Sequence, residues 1–188
     1  YAITPWDLPA VPVAGTDLLF PVRRIYCVGR NFADHAREMG ATAPASKAER
    51  GNPVFFMKPA DAVIQSQNIP YPPGTQDLHH EVELVVALGP DIPQTITPEN
   101  AAQAIFGYAV GLDLTRRDLQ AAAKEKRLPW DTAKGFDASA PISELVPAAQ
   151  ASLAAGTLLS LQVNGETRQQ AALGDMIFSV TDILIELS

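Results

Sequence analysis

Three carboxylates in apolar surroundings carry the first chemical signal. In DLHHEVELVVALG, Asp77 to Gly89, Glu81 and Glu83 are two apart in what reads as one strand, so they share a face with His79. The opposite face is His80, Val82, Leu84, Val86 and Leu88, almost wholly apolar. Two same-face glutamates repel, and a buried pair needs a proton or a cation between them. Asp113, inside a second apolar strand read over GYAVGLDL, is a third carboxylate. Three oxygen ligands completed by water suit a hard divalent ion, Mg²⁺ or alternatively Mn²⁺. Zinc would favour His or Cys clusters, and the chain has 3 His and 1 Cys. Alternation alone leaves a second reading open: Glu81 and Glu83 on the solvated face of an edge strand, with Asp113 in a salt bridge or turn.

A second pair points to proton transfer. His35 and Glu38 are three apart on a helix read over NFADHAREMG and share a face. A carboxylate beside an imidazole orients it and raises its basicity, which makes a general base for water; the plain alternative is a surface His–Glu pair. The helix adjoins a glycine turn and the exposed loop ATAPASKAERGNP, the anatomy of a lid. Lys134 in TAKGFD either reaches a bound anion or is solvated, and Lys58 in FFMKP has the same two readings. Gln120, seven past Asp113, either bonds a carboxylate or covers a helix face. Arg30 joins Gln120 and Lys58 as a candidate for binding substrate. Cys27 reads as core rather than nucleophile, and His79 and His80 carry no assigned role.

The elements that must position these residues are short. RRIYCVGR reads as a strand ending at Gly29, followed by the lid helix with Asn31 as N-cap and Gly40 as its stop. PVFFMKP, DLHHEVELVVALG and GYAVGLDL read as strands. TPENAAQAIF reads as a helix capped by Thr97, and TRRDLQAAAKEK as one capped by Thr115. LLSLQVNGETRQQA reads as a hairpin on an Asn164-Gly165 type I′ turn, and SVTDILIELS as an apolar helix. Many short strands with few helices give an α+β, mainly β fold. The alternating pattern and Gly-rich phosphate loop of a doubly wound sheet are absent.

Bulk properties narrow the class. With 14 Lys and Arg against 21 Asp and Glu, the net charge is −7, which opposes binding to nucleic acid. No apolar run approaches the ~20 residues of a membrane span. A single cysteine is expected in a reducing, cytoplasmic setting. The 188 residues fit one catalytic domain, with 1–21 as an N-terminal arm and 31–51 as lid helix and mobile loop.

Six pieces in order carry a resemblance: IYCVGRNFADHAREMG, PVFFMKPADAVI, HHEVELVVALG, GYAVGLDLTRRDLQ, WDTAKGFDASAPIS and LQVNGETRQQAALGDMIFSV. Together they resemble the fumarylacetoacetate hydrolase family, in its short-chain acylpyruvase and fumarylpyruvate hydrolase branch. The resemblance implies a fumarylacetoacetase C-terminal-domain-like mixed β-sandwich or roll, assembled as a homodimer. It also implies a Mg²⁺ site of Glu81, Glu83 and Asp113, a His35–Glu38 dyad, and roles at the substrate for Lys134 and Gln120. The implied reaction is hydrolysis of a carbon–carbon bond in an acylpyruvate, a small 2-oxo acid, with fumarylpyruvate giving fumarate and pyruvate in aromatic (gentisate) breakdown. Two alternatives accompany it: an oxaloacetate decarboxylase or tautomerase on the same metal, and an inactive, metal-stabilised binding protein. Leu112 stands where family members commonly have Asn. The family's following TGTP-like strand lies beyond Ser188, so an incomplete chain is expected.

Overall fold

The computed structural model describes residues 1–32 and 49–188. The expected lid helix and most of its loop, with His35 and Glu38, therefore lie outside the described residues. Elsewhere short strands dominate and helices are few, as the composition of the segments predicts: β1 Ala10–Pro12, β2 Leu19–Pro21, β3 Ile25–Gly29, β4 Val54–Lys58, β5 Val63–Ile64, β6 Leu78–His79, β7 Val82–Leu88, β8 Ile105–Leu112, β9 Thr115–Arg116, β10 Ala140–Pro141, β11 Val146–Pro147, β12 Leu158–Val163 and β13 Glu166–Ala172. Among the described residues there are three α-helices: α1 Arg117–Glu125, α2 Asp131–Lys134 and α3 Val180–Leu187. Among the described residues no helix is long and apolar enough to cross a membrane.

The chain forms two compact units, each gathered from three segments. The first takes residues 1–26, 57–83 and 109–146. Here β1 pairs antiparallel with β2, β5 parallel with β10, and β6 antiparallel with β9. Its core includes Val11, Val13, Leu114, Phe136 and Leu145. The second unit takes residues 27–56, 84–108 and 147–188. It holds the β12–β13 hairpin, and Leu184 of α3 packs with Ile96, Ala101 and Ala104. Strand β8 lies between β7 and β11 in a three-stranded sheet, and β3 pairs with β4.

Several elements follow their local chemistry closely. Asn164 and Gly165 both have positive φ, 54° and 83°, as a type I′ turn requires. Helix α3 starts at Ser179, whose hydroxyl accepts from the Asp182 amide at 3.2 Å while the Asp182 carboxylate accepts from the Ser179 amide at 2.9 Å. Arg50 clasps the same carboxylate through two hydrogen bonds of 2.9 and 3.1 Å. The hydrogen bond from Arg50 holds the Asp182 carboxyl well below the usual carboxylate range.

Three expectations require correction. The stretch Asp77–Gly89 is two strands, because its partner changes: β6 pairs with β9, whereas β7 pairs with β8, and His80–Glu81 lies between them. Thr115 does not cap α1. It belongs to β9 opposite His79, and its hydroxyl is engaged elsewhere, so the helix begins at Arg117 without a side-chain cap. TPENAAQAIF yields only a 3-10 turn, Ala101–Ala104. Asn100 bonds the main chain of Thr97 and Thr95 there, which competes with helical hydrogen bonding, and β8 already begins at Ile105. The cap role expected of Asn31 concerns residues outside the described ones; its amide donates to the Phe178 carbonyl at 2.9 Å and accepts from the Phe178 N–H at 2.8 Å.

Candidate metal centre and active site

The residues that could do chemistry meet in the first unit, where β8 runs out and the chain turns through Asp113 into β9. The Asp113 N–H donates to the Glu81 carbonyl at 2.8 Å, which fixes the two carboxylate-bearing residues side by side. Both side chains are buried, as are Lys58, Thr115, Gln120 and Lys134. Lys134 ends α2 and is only 3% exposed, which excludes the solvated reading of this residue. Its Nζ donates to Glu81 Oε2 at 2.7 Å, to Asp113 Oδ2 at 2.6 Å and to Thr115 Oγ1 at 2.6 Å.

Two further cations close the arrangement. Lys58, at the end of β4, places Nζ 3.0 Å from Asp113 Oδ1 and donates to the carbonyls of Leu114 and Lys134. That places Lys58 among protein groups and the carboxylate, beside the Phe136 ring. Arg117, on the first turn of α1, donates to Glu81 Oε1 and, at 2.6 Å, to Gln120 Oε1. Gln120 is thereby oriented by an arginine rather than bonded to a carboxylate. All four oxygens of Glu81 and Asp113 face a basic side chain.

The electrostatics divide the carboxylates. Burial alone would raise the Glu81 carboxyl, but the charges of Lys134 and Arg117 prevail and hold it well below the usual range. Glu83 has the opposite fate. Burial, then the negative charges of Asp113 and Glu81, push it up to about 8, against partial relief from Lys134. Burial and the two neighbouring carboxylates thus both favour the protonated form of Glu83.

Whether these residues fit a divalent ion can be judged on that basis. Among the described residues no three His, Cys, Asp or Glu side chains converge on one point as ligands, and the Lys134 ammonium stands between Glu81 and Asp113. The donor chemistry itself fits: three carboxylates match a hard oxygen-seeking ion. Glu81, Glu83 and Asp113 would hold such an ion, which would supply Lewis acidity there.

Of the other candidates, Arg30 is exposed in the second unit, with a φ of 59°. His79 is exposed and lies 3.0 Å from Asp77. His80 has its Nδ1 buried without a hydrogen bond, and Cys27 is half-buried. Thr115 and Arg117 were missed in the sequence. Arg117 had a signal, since it lies three before Gln120 on one helix face. Thr115 had none, because its part depends on where Lys134 comes to rest.

Comparison with known proteins gives these residues a setting. The fumarylacetoacetate (FAA) hydrolase C-terminal family model matches residues 24–188. The crystal structure of fumarylpyruvate hydrolase from Pseudomonas aeruginosa, in complex with Mn²⁺ and pyruvate, superposes with a TM-score of 0.89 at 44% identity, covering 100% of this chain and 80% of that one. The oxaloacetate tautomerase YcgM of Escherichia coli is 42% identical over 176 residues, 93% of this chain and 77% of that protein. The human mitochondrial oxaloacetate tautomerase FAHD1 is 42% identical over 168 residues, 88% and 72% respectively. By sequence and by fold, the chain belongs to the fumarylacetoacetate hydrolase family.

Proposed function

We propose that the protein is a divalent-metal-dependent hydrolase of an acylpyruvate, with fumarylpyruvate as the preferred substrate. The observation that carries this reading is the gathering of Glu81, Asp113 and Lys134 within 2.7 Å contacts beside an under-compensated Glu83. The choice of fumarylpyruvate is supported by the 44% identity, over the whole chain, to a fumarylpyruvate hydrolase that binds Mn²⁺ and pyruvate.

Glu81, Glu83 and Asp113 would hold the ion, Mg²⁺ or Mn²⁺, which supplies Lewis-acid polarisation for the 2-oxo and carboxylate oxygens of the pyruvyl end. Lys134 Nζ donates to the oxygen on which negative charge develops. His35, oriented by Glu38, takes a proton from the attacking water at the distal carbonyl, and the carbon–carbon bond breaks to release fumarate and the enolate of pyruvate. Arg117 orients Gln120 toward the substrate. Homodimeric assembly is carried over from the family resemblance and is tested by light scattering.

A second reading, oxaloacetate tautomerase, is favoured by the 42% identity to YcgM over 93% of the chain. Both reactions pass through an enolate of a 2-oxo acid, so one site suits either. Turnover of purified protein on fumarylpyruvate and on oxaloacetate, each with Mn²⁺ and with chelator, separates them. We expect metal-dependent release of pyruvate from fumarylpyruvate to be the faster. Faster enol–keto conversion of oxaloacetate would replace our first reading with the second. His35→Ala should abolish cleavage and leave Mn²⁺ affinity nearly unchanged; full cleavage by this variant would remove the dyad from the mechanism.

A further inference from the structure

Every oxygen of Glu81 and Asp113 already faces a cation of the protein's own: Arg117 and Lys134 at Glu81, Lys58 and Lys134 at Asp113. A divalent ion recruited by both residues therefore meets these cations at close range, and the repulsion falls hardest on the group the two carboxylates share. Lys134 is the group the two carboxylates share, at 2.7 and 2.6 Å. Moving it frees an oxygen on each carboxylate at once. Lys58 is tied to two main-chain carbonyls and faces Asp113, while Arg117 is braced by Gln120.

We propose that Lys134 and the divalent ion compete for Glu81 and Asp113, so that binding of the ion turns the lysine out of the carboxylate pair and releases its ammonium for the substrate. This rests on the reading of Glu81 and Asp113 as ligands. Two cations at one pair of oxygens repel strongly at such short range in a buried site. The same charge therefore serves two roles in turn. Before the ion arrives, Lys134 neutralises two buried carboxylates; afterwards, it faces developing negative charge in the reaction. Thr115, fully buried with its hydroxyl 2.6 Å from Nζ and 3.3 Å from Glu81 Oε2, lines the position the ammonium leaves. The arrangement would couple loading of the ion to arming of the lysine, and an enzyme without its ion would hold the lysine away from substrate.

Calorimetric titration with Mn²⁺ tests the competition without any turnover. Lys134→Met should bind Mn²⁺ more tightly than the wild type, by roughly tenfold or more. Equal or weaker affinity in a folded variant would overturn the proposal while leaving the metal reading intact. Absence of Mn²⁺ binding by both proteins would overturn both. A second measurement needs no variant: labelling of wild-type lysines with trinitrobenzenesulfonate, mapped by peptide mass spectrometry with and without Mg²⁺. Labelling of Lys134 should rise several-fold relative to Lys58 when Mg²⁺ is present. An unchanged or lower ratio contradicts the displacement.

Discussion

At the residue scale, Glu83 and Lys134 set the electrical state of the site. Glu83 holds its proton up to about pH 8, since burial and two neighbouring carboxylates oppose its charge. A cation ligated by Glu83 must expel that proton. Affinity for Mg²⁺ should therefore rise close to tenfold per pH unit below about 8 and level off above it, as titrations between pH 6 and 9 would measure. Without added metal the sign runs the other way. A carboxyl whose folded pKa lies above its unfolded value favours the fold while protonated, and that contribution is lost as pH rises from the ordinary carboxyl range through about 8. Glu83→Gln should remove this loss and, with it, most Mg²⁺ binding. A variant that kept wild-type affinity would show that Glu83 is no ligand. None of this was legible in the residue spacing, which paired Glu81 with Glu83 as equals. Their difference arises because Lys134 and Arg117, distant in sequence, hydrogen-bond Glu81, whereas Glu83 meets burial and two carboxylate charges.

At the element scale, the features that were legible are those decided within a few residues. Asn164-Gly165 needs positive φ at both positions, and few residues other than Asn and Gly accept it cheaply. Nothing lies within 4 Å of where a Gly165 Cβ would be, so Gly165→Ala should destabilise through φ alone, by about 1 kcal/mol in urea unfolding. The apolar helix read over SVTDILIELS was equally local, and its Ser179–Asp182 cap spans four residues. The misreadings at Thr115 and at the 77–89 stretch have one shared origin. Where β6 pairs with β9 and β7 with β8, a strand changes partners, and partner choice is a tertiary event that alternation cannot reveal. The buried state of Lys58 and Lys134 was hidden for the same reason. A lysine among small residues reads as solvated until the carboxylates that neutralise it are in place.

At the scale of the whole molecule, six ordered sequence pieces sufficed for family membership, whereas the division into two units was not visible. Each unit is assembled from three separated segments, with residues of β7 and β8 in both, so no linker marks a boundary in the sequence. A net charge of −7 adds a general attraction for cations. Mn²⁺ at one hundred times its dissociation constant should stabilise the fold by about 2.7 kcal/mol, a rise in melting temperature of roughly 5–10 °C. Differential scanning fluorimetry of the wild type and Glu83→Gln would measure it; the variant should show little rise, and an equal rise would place the stabilising ion elsewhere. The central claim, that Glu81, Glu83 and Asp113 form one divalent-cation site, meets its most direct test in anomalous diffraction from crystals grown with Mn²⁺. A peak is expected within about 2.3 Å of an oxygen from each of the three carboxylates. A peak away from these residues, or none at saturating Mn²⁺, would contradict it.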